Sequence, residues 1–291
     1  MRAYMFSGQG AQKPGMGKAF LEKGGAGAGV IERLSKQNDR LIYLLTEADA
    51  AELAKTVNTQ PAVFAMSAAA LAELGGEADG YIGFSLGEYA ALYASGALGL
   101  EDAFDLVMFR AGQMEKCAES TNGAMVAVLG KDGEELDEII SRAKTGDLLI
   151  PVNYNCPGQT VVAGDAESCA KLMELCRAER VRAVKLPVGG AFHSPYMAPA
   201  ADAIAAHIAG MEIAAPKGEL YSNVTGAVYE QATFRETLAA QTKSPVRFRQ
   251  AIASMVAKGY DDFIEIGVGN TLAGFVKRID GGVKSRVWNE V

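Results

Sequence analysis

Histidine is almost absent: the chain has two in 291 residues, His193 and His207. Its four cysteines (Cys117, Cys156, Cys169, Cys176) form no C-x-x-C pair. These scarcities argue against a Cys/His zinc site, so no metal is expected. Single scattered thiols suit a reducing, cytoplasmic setting rather than a disulfide framework. No uninterrupted apolar run reaches the length of a membrane span, and the few residues before Gly8-Gln9-Gly10 are too short for a signal peptide. Positive charge is in deficit: 28 Lys and Arg against 35 Asp and Glu leave a net −7, which disfavours a nucleic-acid surface. No repeat of solenoid period occurs. What is present, 49% hydrophobic and 22% charged residues, is the composition of a globular protein. The length suits one large domain, or a large domain carrying a smaller insertion.

Ala3–Phe6 reads as a short strand that enters the glycine turn Ser7–Gln12. Lys23–Gly29, with four glycines, reads as a flexible loop. Helical periodicity covers much of 31–75 and stops at Gly75-Gly76. A strand at Gly80–Phe84 precedes a helix after Ser85, and another helix follows over 101–118. The rhythm then changes. The predicted order is strand 124–129, helix 132–144, strand 148–153, turn Asn155–Gly158, strand 160–163, helix 166–179 and strand 181–187. That βαββαβ order is the ferredoxin-like split unit. The expectation is an α/β protein in which residues 120–188 form an inserted subdomain and 1–119 with 189–291 form the larger one. The larger part resumes through the loop Gly189-Gly190, a helix over 197–209, a strand-like Glu219–Val224, a strand at Asp262–Ile266 and a last helix after Gly267–Asn270.

The segment Gly83-Phe84-Ser85-Leu86-Gly87 is a G-x-S-x-G pattern between a short apolar strand and an alanine-rich helix. A sharp strand-to-helix turn lifts a serine Oγ clear of the backbone, beside the first free N–H groups of the helix. A nucleophilic Ser85 needs a base. His207 sits within a helical pattern and reads as an ordinary surface or core-edge histidine. His193 sits in the loop Gly189–Pro195, where catalytic groups tend to lie, and is the candidate base; Ser194-Pro195 suits the start of the next helix. On the helix over 101–118, Phe104, Val107, Ala111 and Met114 mark the buried face, and Arg110 flanks it. A guanidinium there needs an anion. Either a structural salt bridge or a substrate carboxylate held bidentately would serve. The glycine runs do not make a nucleotide site: Lys13 stands where G-x-G-x-x-G requires glycine, and Gln12 and Ala19 break a P-loop pattern.

Several segments together resemble malonyl-CoA:acyl carrier protein transacylases, the acyltransferases of fatty-acid synthesis. They are Gly8–Gln12, Thr59-Gln60-Pro61-Ala62, Gly83–Tyr89, Met108–Gly112, Val152–Gln159, Gly190–Ser194, Gln241 with Ser244-Pro245-Val246, and Glu265–Gly269. They run in family order over nearly the whole chain. The resemblance implies an α/β-hydrolase-like core with an inserted ferredoxin-like subdomain, in agreement with the βαββαβ reading. By position it makes Ser85 the nucleophile and His193 its base. It makes Gln241 the residue whose backbone carbonyl orients the histidine, and the N–H groups of Gln9 and Leu86 the oxyanion hole. Arg110 would hold the free carboxylate of malonyl. Gln60, Asn153, Phe84 and Phe192 would line the substrate pocket. It implies transfer from malonyl-CoA to the phosphopantetheine thiol of acyl carrier protein, without metal or redox cofactor. The partners would be small-molecule thioester and transient carrier protein, with no nucleic acid or membrane, on a monomeric enzyme.

Two departures accompany the resemblance. The family usually has histidine where Phe84 stands, which alters a pocket wall, and proline at Ser7, which is expected to affect only the turn. Phe192 before His193 is the residue that accompanies malonyl selection in related polyketide acyltransferases. The rival readings are a serine thioesterase or hydrolase with Asp165 or another acid as third member, a polyketide-pathway acyltransferase with altered acyl preference, and a non-enzymatic scaffold. Because the carrier implied is acidic, a local basic face is expected for it. The candidates are Arg177, Arg180, Arg182 and Lys185, or Lys243, Arg247 and Arg249.

Overall fold

Short runs such as Ala3-Tyr4-Met5-Phe6 are apolar at successive positions, as strands buried on both faces must be. The computed structural model, which describes residues 1–291, pairs them accordingly. The strands are β1 (Arg2–Phe6), β2 (Gly80–Gly83), β3 (Gly123–Leu129), β4 (Leu149–Cys156), β5 (Gln159–Asp165), β6 (Arg182–Lys185), β7 (Glu219–Tyr221), β8 (Asp262–Ile266) and β9 (Lys284–Val287). Five of them form a parallel sheet in the order β7-β2-β1-β8-β9. The strand order reverses between β1 and β8, so a crevice opens beyond the carboxyl ends of the strands there. Ser7-Gly8-Gln9, Phe84-Ser85 and Gly267 follow directly on β1, β2 and β8 and therefore gather at that crevice.

The other four strands form an antiparallel sheet in the order β4-β5-β3-β6, the arrangement of a ferredoxin-like unit. Side chains alternate across it, as the two-residue period of a strand demands. Ala124, Val126 and Val128 pack with the helices Gly133–Ala143 and Ala166–Ala178. Met125 and Ala127 face the other way, onto Met114, Cys117, Phe192 and Met197 of the larger part. The predicted βαββαβ order is thus present, and the second face of β3 packs on the helix Leu100–Glu119 and on the segment from Ala191 to Ala200. The helix Thr56–Leu74 is buried on all sides over Asn58–Ala70, where it packs against the parallel sheet, and the helix Leu100–Glu119 packs beside it. No helix is long and apolar enough to cross a membrane.

The expected loop at Lys23–Gly29 is a correction. Residues Lys18–Lys23 and Ala26–Ser35 are helices, broken only at Gly24-Gly25. Two interactions override the low helix propensity of glycine there. Gly27 lets the second helix press on its neighbours, since a Cβ would stand 2.5 Å from the Phe20 ring and 3.1 Å from the Ala69 carbonyl. The Glu73 carboxylate accepts the Gly27 N–H at 2.9 Å and caps the helix from outside. The helices Phe234–Ala240 and Phe248–Ala257 and the strand β9 had no clear sequence signal, and β7 ends at Tyr221 rather than Val224.

Glycine decides how tightly the turn between β2 and the helix Gly87–Ala94 closes. A Cβ on Gly83 would lie 1.9 Å from the Gly87 carbonyl carbon, and one on Gly87 would lie 2.0 Å from the Phe6 carbonyl oxygen. Both obstacles are backbone, which cannot give way locally. The substitution Gly87→Ala is expected to destabilise the fold by about 3 kcal/mol or more. Chemical denaturation of the variant beside the wild type checks this, and a loss below about 1 kcal/mol would contradict the crowding.

Candidate active site

Ser85 leaves β2 with φ +52°, a left-handed conformation that a residue other than glycine or asparagine seldom adopts. Such a residue costs on the order of 1–3 kcal/mol and persists only where its surroundings over-determine it. Here both of its backbone groups are held. Its N–H donates to Asn223 Oδ1 at 2.6 Å, and its carbonyl accepts from Gln241 Nε2 at 2.7 Å. Asn223 Nδ2 in turn donates to the Gly83 carbonyl at 2.7 Å. The helix Gly87–Ala94 begins immediately after, and the backbone N–H groups of Leu86 and of Gln9 have no acceptor within the protein. The two donors assigned to an oxyanion hole by resemblance are therefore unspent.

His193 also has positive φ, +61°, and is 3% exposed. Its Nδ1 faces two backbone carbonyls, Gln241 at 3.0 Å and Ser244 at 3.2 Å. Two acceptors require the proton on Nδ1, which leaves Nε2 as the free base. Nε2 lies 2.7 Å from Ser85 Oγ. Burial first, and then the Arg110 charge, lower the imidazole pKa to about 4, against the opposing pull of the Gln241 and Ser244 carbonyls. The ring is neutral at ordinary pH and ready to accept the serine proton. No carboxylate backs it. Asp165, the acid named for a hydrolase triad, instead accepts from the Tyr196 hydroxyl and, at 2.8 Å, from the Leu148 N–H.

Arg110 does more than flank the apolar face of its helix: it is 1% exposed. No carboxylate lies within salt-bridge distance of it, which removes the structural-salt-bridge alternative. The guanidinium donates to Gln60 Oε1 at 2.7 Å, Gln241 Oε1 at 2.9 Å and Ser85 Oγ at 3.0 Å. It also lies over the Tyr89 ring, 5.2 Å from the centroid, and its Nε has no partner. Burial lowers its pKa, opposed by Tyr89 and by the charge of Glu88. A buried cation satisfied only by neutral oxygens is strongly disposed to bind an anion.

Beside Ser85 a cavity of about 60 Å³ is lined by Gln9, Phe84, Arg110, Asn153, Phe192 and His193, among others. A larger one of about 210 Å³ shares Gln9, Phe84 and Asn153 and continues past Ser7 and Glu265. The ten site residues named from the sequence thus converge on one place. Phe84 packs on Phe248 and Phe275, with centroids 5.6 and 6.2 Å away, and forms an apolar wall. Ser7 does more than shape a turn. Its hydroxyl lies 3.1 Å from Glu265 Oε1 and 3.0 Å from the Val268 carbonyl, so it ties the end of β1 to the end of β8. Buried Glu265 also accepts the Ala273 N–H at 2.8 Å, capping the helix Thr271–Ile279. His207 is peripheral: it stacks on Phe109 and faces Asp105 at 3.3 Å. Of the two basic groups, Arg249 is paired with Asp132 and Lys243 faces Asp202, whereas Arg177, Arg180, Arg182 and Lys185 are exposed with no carboxylate within 4.0 Å.

Sequence reasoning missed Glu88, Asn223, Tyr229 and Ser244. Two of them left a signal: Glu88 is the lone acid in the otherwise uncharged helix Gly87–Ala94, and Ser244 stands in the Ser244-Pro245-Val246 segment that carries part of the resemblance. Glu88 is 0% exposed, and burial raises its pKa to about 7 against hydrogen bonds from Tyr229, Gln241 and Asn223.

The chain is similar over nearly its full length to proteins of known kind. The malonyl CoA-acyl carrier protein transacylase of Bacillus subtilis (strain 168) is 38% identical over 290 residues, covering 97% of this chain and 92% of that protein. The protein of the same name from Escherichia coli (strain K12) is 33% identical, covering 99% and 96%. The crystal structure of the malonyl CoA-acyl carrier protein transacylase from Clostridium perfringens superposes with a TM-score of 0.90 at 37% identity, covering 98% and 92%. The acyl-carrier-protein S-malonyltransferase of Burkholderia pseudomallei gives 0.93 at 33% identity, covering 98% and 95%. Residues 3–281 match the acyl transferase domain model, and with these relatives this shows that the chain belongs to the malonyl CoA-acyl carrier protein transacylase family.

Proposed function

We propose that this chain transfers the malonyl group from malonyl-CoA to the phosphopantetheine thiol of acyl carrier protein, in the supply of fatty-acid elongation. The observation that carries the reading is the buried Arg110 guanidinium, without a carboxylate partner and 3.0 Å from Ser85 Oγ. A cation so placed selects an acyl group that ends in an anion, and fixes it against the nucleophile. The narrow cavity beside Ser85 suits a short acyl group. Residues 120–188 act in this reading as an inserted unit that walls one side of the cavity through Met125, Asn153, Leu186 and Val188.

Ser85 Oγ attacks the thioester carbonyl while His193 Nε2 takes its proton. The carbonyl oxygen becomes an oxyanion held by the Gln9 and Leu86 N–H groups, each such donor being worth about 10²–10³ in rate. Collapse breaks the carbon–sulfur bond, and His193 returns the proton to the departing thiolate. The malonyl ester of Ser85 remains. The carrier thiol then gives its proton to His193 and attacks the ester, and Ser85 recovers the proton as the new thioester leaves. The imidazole is aligned throughout by the Gln241 and Ser244 carbonyls, so this cycle needs no triad acid.

Intact-mass measurement after incubation with malonyl-CoA should show a malonyl adduct that Ser85→Ala abolishes and that carrier protein removes as malonyl-carrier. An adduct lost only to water would favour a hydrolase, and none at all a scaffold. Arg110→Ala should lower kcat/KM for malonyl-CoA by about 10²-fold while acetyl-CoA changes far less, since a charge-assisted hydrogen bond is worth about 1.5–3 kcal/mol. Equal losses would remove the carboxylate role. Because His193 titrates at about 4, its neutral form persists as pH falls through 6.5. The rate of acyl-enzyme formation should accordingly stay level there and decline only towards pH 4; a limb centred at 6.5 in the pH profile would contradict this.

A further inference from the structure

Glu88 stands beneath the site and lines neither cavity, yet both residues that grip the strained backbone of Ser85 are bonded to it, Gln241 through its side-chain amide and Asn223 through its backbone N–H. Its Oε2 accepts the Asn223 backbone N–H at 3.1 Å and Gln241 Nε2 at 3.2 Å, and its Oε1 accepts the Tyr229 hydroxyl. Asn223 holds the Ser85 N–H, and Gln241 holds the Ser85 carbonyl. The same contact fixes which way the Gln241 amide is turned. With Nε2 drawn towards Glu88 and the Ser85 carbonyl, Oε1 must face Arg110, to which it is bonded at 2.9 Å. A flipped amide would set an NH₂ group against the guanidinium.

We propose that Glu88 is a positioning residue of the transfer reaction: it clamps Ser85 in its left-handed conformation through Asn223 and Gln241, and through Gln241 it aims Arg110. The inference rests on the reading of Ser85 as nucleophile and Arg110 as carboxylate ligand. It separates two arms. The Asn223 arm serves Ser85 alone, and so affects every acyl group equally. The Gln241 arm reaches Arg110 as well, and so affects the preference for malonyl. Geometry rather than charge is what the clamp requires. A glutamine at position 88 can keep its oxygen on the Asn223 and Gln241 donors and turn its NH₂ to Tyr229, whose hydroxyl can accept as well as donate.

The test is pre-steady-state acylation by malonyl-CoA and acetyl-CoA, on full-length protein shown to be folded by thermal melting. Glu88→Gln should stay within about fivefold of the wild type, with its malonyl preference kept, since its oxygen replaces the carboxylate as acceptor. Glu88→Ala should lower the acylation rate constant by about 10²-fold with a smaller change in KM, and reduce the malonyl preference by about tenfold, as misplacement of a reacting group does. Asn223→Ala should slow both acyl groups by about tenfold and leave the preference unchanged. If Glu88→Ala does not fold, the rescue by glutamine and the unchanged preference of Asn223→Ala still decide the matter. Wild-type rates in Glu88→Ala or Asn223→Ala, or a glutamine variant as slow as alanine, would overturn the proposal. An adduct surviving in Ser85→Ala would instead overturn the underlying reading of the site.

Discussion

A guanidinium that is 1% exposed and has no carboxylate beside it organises the centre of this molecule. Burying a charge is costly unless it is hydrogen-bonded, and the two terminal nitrogens of Arg110 bond neutral oxygens from three separate elements while its Nε has no partner. Gln60 comes from the helix Thr56–Leu74, Ser85 from the turn after β2, and Gln241 from the end of the helix Phe234–Ala240. The same charge adds to burial in keeping His193 neutral. One residue thus links the long buried helix, the elbow and the histidine loop. It leaves the site short of an anion.

Around that charge the backbone is held in forms it would not choose. Ser85 and His193 both have positive φ, and each is fixed by hydrogen bonds from distant parts of the chain. The third such residue, Arg180, shows that the conformation alone signals nothing. It closes the helix Ala166–Ala178, and the Val181 N–H bonds back to the Cys176 carbonyl at 2.7 Å. What distinguishes the site is that both strained residues present a reacting atom to the other, 2.7 Å apart. The histidine is oriented by carbonyls that carry no full charge.

The two departures from the family lie on one wall. Phe84 extends an aromatic cluster with Phe248 and Phe275, and Ser7 binds Glu265 across the mouth of the parallel sheet. Both line the larger cavity that leads away from Ser85. Neither touches the Ser85–His193 pair through a hydrogen bond. Both positions therefore bear on the shape of the cavities, and the Ser85–His193 contact does not depend on either for a hydrogen bond.

Local sequence was sufficient for the elements whose pattern is local. The short strands β1, β2 and β8, the apolar run of β3 and the β4–β5 hairpin with Pro157-Gly158 at its turn could be read directly, and so could the serine on its elbow. Gly83 of that elbow is required by a contact only four residues on, with the Gly87 backbone, whereas Gly87 is required by the Phe6 carbonyl on the neighbouring strand. The glycine-rich start of the helix Ala26–Ser35 reads as a loop in the sequence because its stability comes from Phe20, Ala69 and Glu73 on neighbouring elements. Arg110 showed its need for an anion by its place on a helix face. Whether a protein carboxylate met that need depended on which chains fold over the face, and the tertiary structure supplies glutamines there. The clamp of Glu88, Asn223 and Gln241 was out of reach for the same reason: Glu88 lies more than a hundred residues from both of its partners, and hydrogen bonds across such separations leave no period or spacing in a sequence.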